Sequence, residues 1–195
     1  MKKTPVDDLK RIEIDQFKKK GKRKVIVILD NVRSLNNIGS CFRTCDAFLI
    51  EKIYLVGITG RPPNKDIERT ALGATDSVEW EHINSINDIA NKLKSQNWKI
   101  ILVEQTDKSK NLKDFNPSGK QKVAFVFGNE VFGVSEESLE VCDSAIEMTP
   151  VTPTGENLWN VSPTIVAPAD SAADSINAFI SVKSSNILGS HSCRS

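Results

Sequence analysis

The stretch VIVILDNVRSLNNIGSCFRTC (25–45) decides the fold. Its first five residues, Val25 to Leu29, are uninterrupted apolar side chains, four of them β-branched, which is the composition of a strand covered on both faces. Residues 37–48 read as a helix. Between the two stand a pair of asparagines, Asn36 and Asn37, then Gly39, with Arg43 further along the helix. Core packing needs none of these polar groups, so their position directly after a buried strand points to a ligand.

The same alternation continues along the chain. IYLV (53–56) reads as a strand, and the loop GITGRPPNKD (57–66) follows, where Pro62 and Pro63 forbid helix. SINDIANKLKSQ (85–96) has apolar residues at 86, 89, 90 and 93, the helical period, with Ser85 as its N-cap. WKIILV (98–103) and VAFVF (123–127) are strands, Ser135–Cys142 a helix and AIEM (145–148) a last strand. Continuous apolar strands alternating with helices predict an α/β fold, a parallel sheet with helices on both faces. Ligands of such sheets bind beyond the carboxyl ends of the strands, here segments 30–39, 104–109 and 128–134.

The 195 residues fit one domain of ordinary size, and 39% hydrophobic with 26% charged residues describes a soluble globular chain. No apolar run is long enough to span a bilayer, and the basic start lacks the apolar stretch of a signal peptide, so a cytoplasmic location without membrane attachment is expected. Four cysteines and two histidines form no CxxC or paired cluster, so no metal and no disulfide is expected. Net charge is only +1, yet residues 1–24 hold ten Lys/Arg against four Asp/Glu, leaving 16 against 21 in the remainder. A basic arm of this kind suits a polyanion, although a solvated leader has the same composition.

Nucleotide and hydrolase motifs fail. There is no GxxxxGK[ST], no GxGxxG after a strand and no GxSxG elbow. What remains is VFGNEVFGVS (126–135), in which Gly128 permits a tight turn beyond the strand and Asn129 and Glu130 offer polar groups at the crevice.

Taken with NNIGSCFRT, this second stretch resembles the first two signature motifs of the SpoU-TrmH RNA 2'-O-ribose methyltransferases of the SPOUT superfamily. The first motif has an Asn, a Gly two residues on and an Arg four after it, matching Asn37, Gly39 and Arg43. RTCDAF (43–48) and RTALGATDSVEW (69–80), with Gly73 and Ala74, continue the likeness over roughly 25–148. The resemblance implies a C-terminal trefoil knot, S-adenosylmethionine as cofactor, a homodimer with the site at the subunit interface, and methylation of a ribose in tRNA or rRNA. It divides the chain into a basic leader (1–24), a methyltransferase domain (25–180) and a tail (181–195) expected to be disordered.

The resemblance also assigns roles. Arg43, always protonated, would grip the RNA phosphate, orient the ribose and stabilise charge on the 2'-oxygen rather than serve as a free base. Asn37 would hold Arg43 or the RNA backbone, and Glu130 would orient groups at the dimer interface. Asn160 belongs to the third motif and completes the catalytic set. The cofactor would be held largely by backbone groups at Glu104, Gly128 and the segment from Met148 through Leu158.

The third motif departs from the family pattern. Asn160-Val161-Ser162 survives, but Leu158-Trp159 replaces Ser-Leu, and Pro163 and Pro168 interrupt the expected final helix. Of 26 Lys/Arg, only Lys183 and Arg194 lie beyond residue 148. Divergence that still threads the knot and a shifted reading frame past about residue 148 both give this pattern. The alternative function is accordingly a catalytically impaired RNA-binding homologue with a degraded cofactor pocket.

Overall fold

A computed structural model describes residues 13–117 and 121–147. Among the described residues the sheet has seven strands: β1 (Arg23–Asp30), β2 (Ile50–Val56), β3 (Trp80–Ile83), β4 (Lys99–Val103), β5 (Lys110–Asn111), β6 (Val123–Phe127) and β7 (Ser144–Glu147). Their order is β3-β2-β1-β6-β4-β7-β5, and every pairing is parallel. The expected parallel α/β sheet is therefore present. The knot expected at the C-terminus, the altered third motif and the tail lie outside the described residues.

Pleating explains the layers. Along β1, Val25, Val27 and Leu29 point to one face, where they pack with Ile38, Phe42 and Cys45 of helix α2 (Leu35–Ala47) and Ile67 of α3 (Lys65–Ala71). The short helix α4 (Ala74–Ser77) joins this face through Ala74. Ile26 and Ile28 point to the other face, against Ile89, Ala90 and Leu93 of α5 (Ile86–Ser95). Val141 of α6 (Glu136–Val141) packs on that second face as well. The helix starts are capped as their sequences dictate: Ser34, Ser85 and Ser135 each accept a backbone N–H from their own first turn, and Asn64 does the same for α3.

Several elements escape the sequence pattern. Helix α3 begins at Lys65, inside the stretch read as loop, immediately after a cis Pro62–Pro63 bond. It buries only Ile67 and Ala71, and the four-residue α4 buries no large side chain, so neither displays a helical period. Strand β3 is an edge strand with all four residues half-buried and thus has no apolar run. A further helix, α1 (Ile14–Lys18), lies within the basic leader, and β1 takes in Arg23 and Lys24, where Lys24 Nζ meets Glu51 at 3.0 Å.

Candidate active site

Strands β1 and β6 are neighbours, Leu29 pairing with Phe127, but the chain leaves them in opposite directions. After β1 it turns to α2 on one face, and after β6 to α6 on the other. The loops 31–34 and 128–135 therefore diverge and open a crevice at the carboxyl ends, the switch point where open α/β sheets bind ligands.

Asp30 closes the floor of this crevice. It is 2% exposed, and its Oδ2 accepts from the Ser135 backbone N–H at 3.2 Å and from the Ser135 and Ser138 hydroxyls at 2.7 Å each. Its Oδ1 accepts from Asn31 Nδ2 at 2.8 Å. A charge buried at a strand end is tolerated when donors surround it, as they do here. Asp30 thus ties β1 to the start of α6.

The GNEVFG turn is equally tied. Asn129 and Gly133 exchange both backbone hydrogen bonds, at 2.7 and 3.0 Å, while Asn129 Oδ1 accepts from the N–H groups of Val131 and Phe132. Asn129 Nδ2 donates to the Asn31 carbonyl at 2.8 Å and so links the turn to the loop after β1. A Cβ on Gly128 would lie 2.5 Å from backbone atoms of Gly133 and Val134, so the turn closes only with glycine there. Glu104, just past β4, reaches this turn from the neighbouring strand: a Cβ on Gly133 would stand 2.9 Å from its Oε2.

Glu130 projects to the first turn of α2. Its carboxylate accepts from the Arg33 N–H at 3.1 Å, the Ser34 N–H at 3.0 Å and Asn37 Nδ2 at 3.2 Å. A carboxylate at a helix start satisfies orphan donors and complements the dipole. The two residues the sequence placed in the site about 90 positions apart are thus in direct contact. Glu130 acts here on its own chain, as a cap for α2.

The asparagine pair faces two ways. Asn37 is 8% exposed and meets Glu130, whereas Asn36 is exposed and its Oδ1 accepts from Arg69 Nη2 at 3.0 Å. Arg43 is also exposed, seven residues and so about two turns beyond Asn36 on the outer side of α2. Arg69 Nη2 also meets Asp66 Oδ1 at 3.6 Å, so its charge is partly offset, whereas Arg43 stands exposed further along α2. Gly39 has a different task from the ligand-facing one its motif suggested. A Cβ there would run into Thr70 Oγ1 and the Ile67 carbonyl, so this glycine lets α2 and α3 cross closely.

Sequence reading missed Asp30, Asn31, Arg69 and Thr59. Thr59 Oγ1 donates to the Leu29 carbonyl at 2.9 Å and accepts from the Val32 N–H at 3.0 Å, fixing the same loop from β2's side. Only Asp30 carries a signal, a charge placed directly on the end of an apolar strand. At Glu104, expected among the residues that hold the cofactor, the backbone N–H donates to the Ile146 carbonyl within the sheet at 3.0 Å. Met148, Leu158 and Asn160 lie outside the described residues. No group of three or more potential metal ligands occurs among the described residues, and no helix among them is long and apolar enough to cross a membrane.

The model of the SpoU rRNA Methylase family matches residues 24–166. The chain belongs to that family. The match to the SpoU family runs on through Asn160, Val161 and Ser162, the remnant of the third motif. Among relatives, the tRNA (guanosine(18)-2'-O)-methyltransferase of Thermus thermophilus is 28% identical over 142 residues, 72% of this chain and 71% of that protein. The 23S rRNA (guanosine-2'-O-)-methyltransferase RlmB of Bordetella pertussis is 27% identical over 125 residues, 64% of this chain but only 49% of the relative. In fold, the chain resembles the Aquifex aeolicus TrmH/SpoU tRNA modifying enzyme, with a TM-score of 0.63, 21% identity, and 91% and 81% of the two chains covered. It is similarly close to the SpoU methyltransferase AviRb from Streptomyces viridochromogenes, solved in complex with AdoMet, with a TM-score of 0.63, 18% identity, and 92% and 64% covered.

Proposed function

We propose that this SpoU family member is an S-adenosylmethionine-dependent RNA 2'-O-methyltransferase acting on a ribose of tRNA or rRNA. The observation that carries the reading is the Glu130–Asn37 contact, which joins the family's first and second motifs at the switch point of the sheet. The names of the relatives supply the substrate class, RNA.

The described residues suit the cofactor on one side. Glu104 and Gly128 leave adjacent strands, and a glycine at 133 lets Glu104 lie against the turn after β6, which suits a ligand edge read by backbone groups. Met148 and Leu158 would complete the holding set. When bound, the cofactor supplies a methyl group on an electrophilic sulfonium. The chain's own work is positional: Glu130 and Ser34 fix the first turn of α2, and α2 presents Arg43 to solvent. The Arg43 guanidinium would bind the RNA phosphate and stabilise charge developing on the 2'-oxygen. Asn160 would join it from the third motif.

The finer expectations belong to the same reading: a C-terminal trefoil knot, a homodimer, and a cytoplasmic location with the basic leader (1–24) steering RNA. Transfer of labelled methyl groups from S-adenosylmethionine to bulk tRNA and rRNA, with mass spectrometry of the nucleosides, tests the function. A 2'-O-methylated nucleoside is the expected product. Cofactor binding and RNA binding without any transfer would instead establish the impaired RNA-binding homologue.

A further inference from the structure

Asp30 pairs with Val56, so Asn31 and Gly57 leave strands β1 and β2 side by side. Both are left-handed, at φ 55° and 63°, and asparagine and glycine are the residues that adopt this backbone most readily. They stand against each other, because a Cβ on Gly57 would run into Asn31 Oδ1. All four polar groups of Asn31 are engaged. Its N–H donates to the Val56 carbonyl at 3.2 Å and its Nδ2 to Asp30 Oδ1 at 2.8 Å. Its Oδ1 accepts from the Ile58 N–H at 3.1 Å, and its carbonyl accepts from Asn129 Nδ2 at 2.8 Å. One residue thus joins the ends of β1, β2 and β6.

These bonds close neither of the two motifs. The turn after β6 is closed by the Asn129–Gly133 backbone pair and by Asn129 Oδ1, and the first turn of α2 by Ser34. Glu130 fastens the turn to α2 at Arg33, Ser34 and Asn37. A turn fastened there alone can pivot about that attachment. The Asn129 amide on the Asn31 carbonyl is a second point, at the strand end, and two points remove the pivot. Asn31 is a firm anchor for it, since its side chain is held between Asp30 and the loop after β2. Its left-handed backbone sets the direction of the carbonyl. What Asn31 fixes is therefore the placement of the second motif against the first.

We propose that Asn31 is a positioning residue for methyl transfer, acting through Asn129 to hold the turn at Gly128 in register with the helix that carries Arg43. The inference rests on the RNA-methyltransferase reading and adds to it a residue that touches neither the RNA nor the cofactor. Transfer between two bound molecules needs the reacting atoms aligned, and a misplacement of about 1 Å costs on the order of 100-fold in rate. Loss of the joint should accordingly appear in kcat and leave the affinities for RNA and cofactor in place.

The test compares the native full chain with Asn129→Asp, Asn31→Ala and Asn31→Gly. Labelled methyl transfer from S-adenosylmethionine to bulk tRNA and rRNA gives kcat and KM, calorimetry the cofactor affinity, and urea midpoints the folded fraction. Asn129→Asp is the cleanest variant. It keeps the acceptor that closes the turn and replaces only the Nδ2 donor, leaving an oxygen against the Asn31 carbonyl. Its kcat should fall about 10- to 100-fold, with KM for RNA and cofactor affinity unchanged. Asn31→Ala, which disfavours the left-handed backbone, should lose as much, and Asn31→Gly, which keeps it, should lose less. Joining Asn31→Ala to Asn129→Asp should add little, because both break one joint. If Asn129→Asp does not fold, Asn31→Gly is read by the same criteria. A native kcat per folded molecule in Asn129→Asp, whatever its urea midpoint, would overturn the proposal and leave the joint structural. So would a raised KM for RNA or a weakened cofactor affinity, since Asn129 would then be a ligand contact. A native protein that transfers no methyl group to either RNA would remove the enzymatic reading itself and the positioning role with it.

Discussion

Glu130 Oε1 accepts a hydrogen bond from Asn37 Nδ2 at 3.2 Å across a sequence separation of 93 residues, and the same carboxylate takes the backbone N–H groups of Arg33 and Ser34. Helix α2 is therefore started by two caps, Ser34 from within and Glu130 from the turn after β6. Removing the second leaves two backbone donors and one amide without this acceptor. Glu130→Ala should cost about 1–3 kcal/mol of stability, measurable as a lowered urea midpoint at constant slope. Glu130→Gln retains one acceptor oxygen and should lose less. Methyl transfer should fall further than stability in both, because α2 carries Arg43.

Asp30 should be less forgiving. Its two carboxylate oxygens gather four donors, three on Oδ2 and Asn31 Nδ2 on Oδ1, so Asp30→Asn would turn an amide N–H toward at least one of them. A buried donor facing donors costs about 1–3 kcal/mol, and more when a charged group is lost. Chemical denaturation should show the loss. Hydrogen exchange should show it concentrated in α6 and the 128–135 turn, with the α2–α3 face little changed.

How much of this was legible in the sequence follows from what each residue touches. Val25–Leu29 and Val123–Phe127 are buried on both faces, so composition alone marks them as central strands. Ser85 and Ser135 cap the helices they precede because capping is local chemistry. The Glu130–Asn37 bond is not local, and periodicity has no access to a contact between loops 93 residues apart; the sheet rule brought segments 30–39 and 128–134 to one edge, and the motif resemblance singled out the two residues within them. Strand β3 and helices α3 and α4 were invisible because an edge strand and one- or two-turn helices bury too little to impose a period. Gly39 was legible as significant but not for the right reason.

That reason is testable at Gly39 itself. An alanine methyl would overlap the Ile67 carbonyl, a backbone atom that moves only with α3. Gly39→Ala should cost about 1–3 kcal/mol, as overpacking does, despite alanine's better helix propensity. Thermal melting checks this. Below the melting transition, methyl transfer should persist in proportion to the folded fraction, whereas a ligand-contact role would abolish it at full folding.

Cys142 gives a pH prediction. Burial, with the Asp143 carboxylate behind it, pushes the Cys142 thiol up to about 12 from an ordinary 9.0. The unfolded chain therefore releases this proton at lower pH than the folded chain does. The stabilisation is fully present below pH 9.0, declines through the interval to about 12 and is absent above it. Native protein treated with iodoacetamide at about pH 8 should leave the Cys142 peptide unmodified, because the thiolate is the nucleophile, while guanidinium-unfolded protein should be alkylated there. Cys142→Ala should lessen the alkaline loss of stability, read as urea midpoints below and above pH 9.0.

Arg43 carries the chemistry in the proposed reaction, and its exposure makes the test clean. No buried contact depends on the side chain, so Arg43→Ala should fold with an unaltered melting temperature. Losing one group that stabilises a developing oxyanion lowers kcat by about 100- to 1,000-fold, with S-adenosylmethionine affinity kept. Arg43→Lys retains the charge but not the planar fork that binds phosphate bidentately, so it should recover only a small part of kcat. If lysine instead restored full activity, the residue would supply positive charge alone and the orienting role would fall. If alanine abolished cofactor binding, Arg43 would belong to the pocket of the methyl donor, and the phosphate-gripping role would fall as well.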